Sequence, residues 1–248
     1  MNLASFFQKY PKVAIAFSGG VDSAYLLSTA LACKAEVRAY YVKSAFQPQF
    51  ELEDAKKLAE LLHADMKIID VDVLSDERIT QNPSNRCYNC KKKLFEQILT
   101  EAHKDGFSVI LDGTNASDDS NDRPGMKALS ELQVLSPLRM CGLTKDSIRQ
   151  LSKEAGLFTW DKPAYACLAT RIPTGTPITV SMLEKTEHAE AALTKLGFSN
   201  FRVRMIDNGA RLQVPAEQLQ LVLSYKNEIL EELKKYYSFV LLDLETRD

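Results

Sequence analysis

An α/β fold, built on a doubly wound and mostly parallel sheet with a smaller α+β domain behind it, follows from three features of this 248-residue chain. First, the apolar run Val13-Ala14-Ile15-Ala16-Phe17 leads into Ser18-Gly19-Gly20-Val21-Asp22-Ser23, and Leu26, Leu27, Ala30 and Leu31 then recur on one helix face. That is a strand, a tight turn and a helix start. Second, strand and helix patterns alternate at crossover spacing, which dictates parallel pairing and puts ligands at the carboxyl ends of the strands. Third, from Thr179 the order becomes helix, strand, strand, helix, strand. The expected domains are 1–165 and 166–248, the second a ferredoxin-like unit.

Taken in order, residues 1–10 read as a short amphipathic lead-in. The first helix runs to about Cys33, which is expected to fill core at its end. Residues 36–42 give a second strand, and 50–63 a helix with Leu52, Ala55, Leu58, Ala59 and Leu62 on one face. Residues 66–71 give a third strand. A polar stretch over 75–86 precedes a helix that opens with Cys87-Tyr88-Asn89-Cys90 and runs to about His103. Residues 108–111 form a buried strand ending in Asp112-Gly113-Thr114-Asn115. An acidic, turn-rich loop over 118–125 leads to a helix over 126–131, and 135–138 is extended. Thr144 caps the next helix, which Gly156 stops. The stretch from Trp160 to Gly175, rich in Pro and Gly and without a regular period, reads as a long functional loop. The last domain has a helix over 180–196, strands over 201–206 and 211–214, a helix over 216–236 and a strand over 239–244.

Composition narrows the function. A net charge of −2 argues against a surface built for nucleic acid or another polyanion. The N-terminus lacks a basic start and an apolar core of signal length, and no run of about 18 apolar residues follows. The expectation is a soluble, cytoplasmic protein with no membrane partner. Five cysteines, an odd number, argue against a disulfide framework and leave metal or catalytic roles open.

The glycine turn carries the first chemistry. Gly19 and Gly20 permit backbone dihedrals that a side chain forbids and let an anion approach the main chain. Helix-terminal amides and the helix dipole then favour phosphate. Ser18 and Ser23 add hydroxyl donors, and Asp22, an acid in an anion site, suits Mg²⁺. Lys43 and Ser44, just past the second strand, are expected to face the nucleotide, and Gly113 lies on the same rim. The Cys87/Cys90 pair alone admits a redox dithiol, half of a zinc site or part of an iron–sulfur site. With Cys167 in the functional loop, a three-cysteine site with one open position is the economical reading. Arg171, Arg202 and Arg204 suit an anionic substrate, because guanidinium groups match phosphate and carboxylate in two-point geometry.

The glycine turn, Arg86-Cys87-Tyr88-Asn89-Cys90-Lys91, Asp112-Gly113-Thr114-Asn115, Arg123-Pro124-Gly125 and above all Trp160-Asp161-Lys162-Pro163-Ala164-Tyr165-Ala166-Cys167-Leu168-Ala169-Thr170-Arg171-Ile172-Pro173 together resemble the LarE family. These are ATP-dependent sulfur transferases of the PP-loop ATP pyrophosphatase superfamily. The resemblance implies a HUP-like nucleotide domain that adenylates a carboxylate of pyridinium-3,5-biscarboxylic acid mononucleotide, releases pyrophosphate and delivers sulfur, making the nickel-pincer nucleotide of lactate racemase. It implies ATP contacts at Ala16, Ser18, Gly19, Gly20, Asp22 (through Mg²⁺), Ser23, Lys43 and Gly113, and substrate contacts at Tyr88, Thr170, Arg171, Arg202 and Arg204. It further implies a homo-oligomer. One branch of the family sacrifices the sulfur of the cysteine matching Cys167. The other holds a [4Fe–4S] cluster on three cysteines, and Cys87, Cys90 and Cys167 make this chain similar to that branch. Gln213 departs from the pattern where an acidic residue is expected, as does Thr170 where serine is common. A PP-loop tRNA thiolase is the nearest alternative.

Overall fold

A computed structural model describes residues 1–118 and 124–247. The chain forms two units, Met1–Val73 with Asn85–Lys162, and Leu74–Ser84 with Pro163–Asp248. The acidic loop over 118–125 falls mostly outside the described residues, and Arg123 of the Arg-Pro-Gly motif lies there too.

In the first unit α1 (Leu3–Lys9) leads to β1 (Lys12–Ala16), followed by α2 (Val21–Ala32), β2 (Glu36–Lys43), α3 (Gln49–Leu61) and β3 (Met66–Asp70). After α4 (Glu77–Thr80), which belongs to the second unit, come α5 (Arg86–Lys104), β4 (Ile110–Leu111), α6 (Pro124–Glu131), α7 (Pro137–Met140) and α8 (Lys145–Glu154). The four strands pair in the order β3-β2-β1-β4, all parallel. Strand residues alternate between faces. Val13, Ile15, Ala39 and Tyr41 pack with Phe6, Leu26, Leu27, Ala30 and Leu58 of α1, α2 and α3. Leu26, Leu27 and Leu58 are fully buried, and each such side chain contributes roughly 1.5–3 kcal/mol of transfer free energy. On the opposite face α5 lies against β1 and β2. Helices therefore cover both sides, and the doubly wound sheet is present.

Several local expectations change. Leu135 bridges Leu111, but the chain turns helical at Pro137, because proline presets the dihedral of the first helical position. Cys33 is exposed at the end of α2 and fills no core. The polar stretch over 75–86 contains α4, capped by the Asp76 carboxylate, which accepts from Arg78 N at 3.0 Å.

The second unit contains α9 (Val180–Lys195), β5 (Arg202–Ile206), β6 (Gly209–Gln213), α10 (Leu219–Ser224), α11 (Lys226–Leu233) and β7 (Val240–Leu242). A ferredoxin-like unit needs the order βαββαβ. Here the described strands form a three-stranded sheet, β5 antiparallel to β6 and β6 parallel to β7. The helix expected over 216–236 is also interrupted, at Tyr225, whose ring packs edge-on against Phe198. Val203, Ala210 and Leu212 face the core with Ala189, Leu193, Phe198 and Leu233. Arg202, Arg204, Arg211 and Gln213 consequently line the other face of β5 and β6. The segment carrying α4 is tied in by backbone bonds from Gly175 N to Asn82 O (2.8 Å) and from Ile178 N to Thr80 O (2.7 Å).

Candidate active site

At the carboxyl edge of the parallel sheet the first unit opens a cavity of about 360 Å³, inside the roughly 300–1,000 Å³ range of small-molecule sites. Ala16, Ser18, Asp22, Ser23 and Gly113 line it, together with Gln47, Lys91 and Phe95. The glycine turn shapes one wall. Gly19 has φ +71°, and a Cβ there would stand 3.1 Å from Ala55 of α3, so both conformation and space require glycine. Ser18 and Ser23 hydroxyls are 3.2 Å apart, and Ser18 N donates to Ser23 Oγ at 3.3 Å. The first bond of α2 runs from Ala24 N to Gly20 O, so the amides before it point out of the helix end. Gly113 passes close to that end: a Cβ there would lie 3.0 Å from Ser23 N.

Lys43 closes β2. Its ammonium donates to Gln47 O at 2.6 Å, and it is Gln47 from this segment that lines the cavity. Asp112, buried at the end of β4, accepts from Ser136 Oγ at 2.6 Å and from Thr114 Oγ1. Asp22 accepts from Asn115 Nδ2 at 3.2 Å and from the ammonium of Lys145. No local signal marks Lys145, which lies 123 positions from its partner in sequence.

The cysteines divide between the units. Cys87 and Cys90 stand at i and i+3 in the first turns of α5, hence on one face, with Cys87 exposed and Cys90 half-buried. The same helix sends Lys91, Leu94, Phe95 and Ile98 into the cavity wall. Cys167, half-buried in the second unit, precedes a 3₁₀ turn over Leu168–Arg171, and its carbonyl accepts from Thr170 N (3.0 Å) and Thr170 Oγ1 (2.8 Å). Among the described residues no cysteine is in a disulfide, and neither unit alone gathers three His, Cys, Asp or Glu side chains into a metal-ligating group. Tyr88 donates to Glu131 at 2.7 Å, which raises its pKa, while the ammoniums of Lys92 and Lys127 sit over its ring.

The three arginines differ sharply. Arg171 has no side-chain exposure. It pairs with Glu190 through Nε (2.8 Å) and Nη2 (3.1 Å), and its Nη1 donates to Ala166 O and Thr170 Oγ1. Burial works against its charge, but Glu190 outweighs burial and the pKa is raised. Arg202 is buried, donates to the carbonyls of Phe201 and Ala164, and is pushed down to about 10 by burial and then by Arg171. Both guanidinium groups lie over the Tyr165 ring, 4.6 and 5.2 Å from its centroid, and Tyr165 donates to Glu190 at 2.6 Å. Arg204 is half-buried, donating to Gln213 Oε1 (2.5 Å) and Thr170 O (2.8 Å), and burial followed by Arg171 and Arg211 lowers its pKa.

An anion cradle where a parallel strand meets a helix, at the carboxyl edge of such a sheet, defines the class: this is a PP-loop ATP pyrophosphatase fold. The model of queuosine biosynthesis protein QueC matches residues 12–94. An uncharacterized protein of Synechocystis is 35% identical over 98% of this chain and 92% of its own length. The pyridinium-3,5-bisthiocarboxylic acid mononucleotide synthase of Lactiplantibacillus plantarum is 32% identical over 98% of this chain and 89% of its own. An uncharacterized protein of Methanocaldococcus jannaschii is 32% identical over 96% and 91%. The chain belongs to the LarE family, the sulfur-transferring synthases within the PP-loop class.

Proposed function

We propose that the chain adenylates a carboxylate of pyridinium-3,5-biscarboxylic acid mononucleotide with ATP, releases pyrophosphate and then exchanges the activated oxygen for sulfur, as the name of its Lactiplantibacillus relative suggests. The observation that carries this reading is the glycine cradle at the start of α2, opening on a cavity of nucleotide scale. A carboxylate resists nucleophiles because its carbon is electron-rich. Adenylation supplies a leaving group, and amide donors with Mg²⁺ stabilise the charge that gathers on pyrophosphate. In this reading Ala16, Ser18, Gly19, Gly20, Ser23 and Gly113 surround the phosphates and Asp22 holds the metal. Arg204 and Thr170 receive the substrate anion, while Arg171 and Arg202, engaged within the fold, keep that loop in place. The cationic face on β5 and β6 suits the phosphate of a mononucleotide.

The sulfur carrier in this proposal is a [4Fe–4S] cluster held by Cys87, Cys90 and Cys167. The donor set fits: two thiols share a helix face, a third follows in the functional loop, and none is in a disulfide. When bound, such a group supplies sulfur at an iron lacking a protein ligand. Anaerobic reconstitution with iron and sulfide should give a brown protein that releases pyrophosphate in step with the pyridinium substrate. Cys87→Ala should lose both the colour and repeated turnover. A Cys87→Ala variant with full multi-turnover activity, and loss of the mass of H₂S from Cys167 after one turnover, would establish the sacrificial route instead. Retention of tRNA with no response to the pyridinium substrate would identify a thiolase.

A further inference from the structure

In sequence Lys145 is only the first residue of a capped helix, yet the fold sets its ammonium on the carboxylate of Asp22 in the first turn of α2. The placement is built by the backbone. Ala116 N donates to Leu143 O at 2.8 Å and Lys145 N to Ser117 Oγ at 3.0 Å, so residues 143–145 run beside 115–117. Asn115, held in turn by Asp118, supplies the second donor to Asp22. The pair keeps 31% and 21% side-chain exposure, and Asp22 lines the cavity, so solvent ions and ligand reach it.

Stability does not account for this arrangement. α2 and α8 already pack together, with Leu27 and Ile148 fully buried in one core, and partly exposed ion pairs add little. The placement makes sense as charge management. A lone carboxylate at a phosphate cradle repels a triphosphate, whereas an ammonium on it cancels that repulsion until a metal ion arrives. Lysine also suits phosphate as a mobile point charge.

We propose that Lys145 is the resident counter-ion of Asp22, displaced from the carboxylate by Mg²⁺ arriving with the nucleotide and then paired with the triphosphate. The inference rests on the ATP reading above and adds a residue to it. Charge balances throughout: one cation replaces another on the carboxylate, and the released ammonium meets an anion.

The test uses the full chain with Mn²⁺ alone as metal probe, its unbound fraction read by electron paramagnetic resonance. Lys145→Met should bind Mn²⁺ about tenfold more tightly than wild type without nucleotide, because the competing charged hydrogen bond is gone. The same variant should bind Mg·ATP about a hundredfold more weakly, having lost a phosphate-directed charge. Lys145→Gln should follow the same order if charge, not the stem, is responsible. In an Asp22→Asn background, adding Lys145→Met should leave Mn²⁺ affinity unchanged. Unaltered or weakened Mn²⁺ binding by Lys145→Met overturns the inference while leaving the ATP reading intact, provided wild type binds Mg·ATP. Failure of wild type to bind Mg·ATP overturns both.

Discussion

Glu190→Gln is the sharpest perturbation of the loop that carries Cys167. The Glu190 carboxylate accepts four hydrogen bonds, two from Arg171, one from Tyr165 Oη and one from Val203 N at 2.9 Å, and Arg171 in turn donates to the Ala166 carbonyl. 

A further bond, from Thr194 Oγ1 at 2.9 Å, goes to the Glu190 backbone carbonyl and survives the substitution. Gln keeps the shape but removes the charge, and its amide nitrogen cannot accept. Arg171, with no side-chain exposure, is then a buried cation without a counter-charge. Removing one partner of a buried pair costs about 3–5 kcal/mol, which in a chain of this size lowers Tm on the order of 10 °C. Differential scanning calorimetry reads the first consequence. The second is local: iodoacetamide should alkylate Cys167 faster, while ATP affinity in the other unit stays unchanged. A double change, Glu190→Leu with Arg171→Met, should recover part of the loss, because the pair as a whole contributes less than either partner loses alone. Equal Tm for wild type and Glu190→Gln would refute the reasoning outright.

Other expectations follow from the same geometry. Gly113→Ala places a Cβ 3.0 Å from Ser23 N, so ATP affinity by calorimetry should fall about tenfold, the loss of one charge-assisted contact, with little change in Tm. Gly19→Ala meets both positive φ and the Ala55 backbone, and should lower Tm as well as ATP binding. Asp105 is held well below its usual value, to about 2, by hydrogen bonds from Lys67 and Tyr40. A carboxylate depressed in the folded state stabilises above its unfolded pKa and loses that contribution as pH falls through the folded value. Asp105→Asn should therefore unfold at lower denaturant than wild type at pH 6, and the gap should narrow between pH 4 and pH 2; a gap constant with pH would contradict this.

Much of the first unit is legible in the sequence because its signals are local. The apolar run Val13–Phe17, the glycines beside it and the spacing of Leu26, Leu27 and Ala30 lie within one short stretch, and each dictates its own conformation. What stays hidden is non-local. Lys145 meets Asp22 only because two loops run side by side. Alternation along β5 correctly predicts that Arg202 and Arg204 share a face, yet it says nothing of Ala164 receiving one of them, or of Gln213 and Thr170 receiving the other. The last sheet departs from a ferredoxin-like one for a related reason: the pattern predicts a strand over 239–244, observed as Val240–Leu242, without saying which neighbour it joins or in which direction. The bond from the Lys43 ammonium to a backbone carbonyl four residues on is likewise not written in the pattern.

The arginine face also shows why overall charge is a poor guide to a site. A chain of net charge −2 nevertheless sets Arg204 directly opposite Arg211 across β5 and β6, an arrangement that like charges disfavour. The neighbouring amide of Gln213 does not neutralise Arg204; its nitrogen is turned to Asp243 at 2.8 Å, which fixes its oxygen toward the guanidinium. Burial and like charge already lower the pKa of Arg204, so an anion bound there relieves a repulsion as well as forming contacts. Inorganic phosphate should accordingly raise the stability of wild type, by about 2.7 kcal/mol at a hundred times its dissociation constant. Arg204→Met should abolish that response. Arg171→Met should lower Tm without phosphate yet keep the same phosphate-dependent rise in whatever fraction folds, because its guanidinium is engaged by Glu190 and not by the ligand. Equal phosphate stabilisation in wild type and Arg204→Met would show that the anion binds elsewhere, and the division of labour among the three arginines would have to be abandoned.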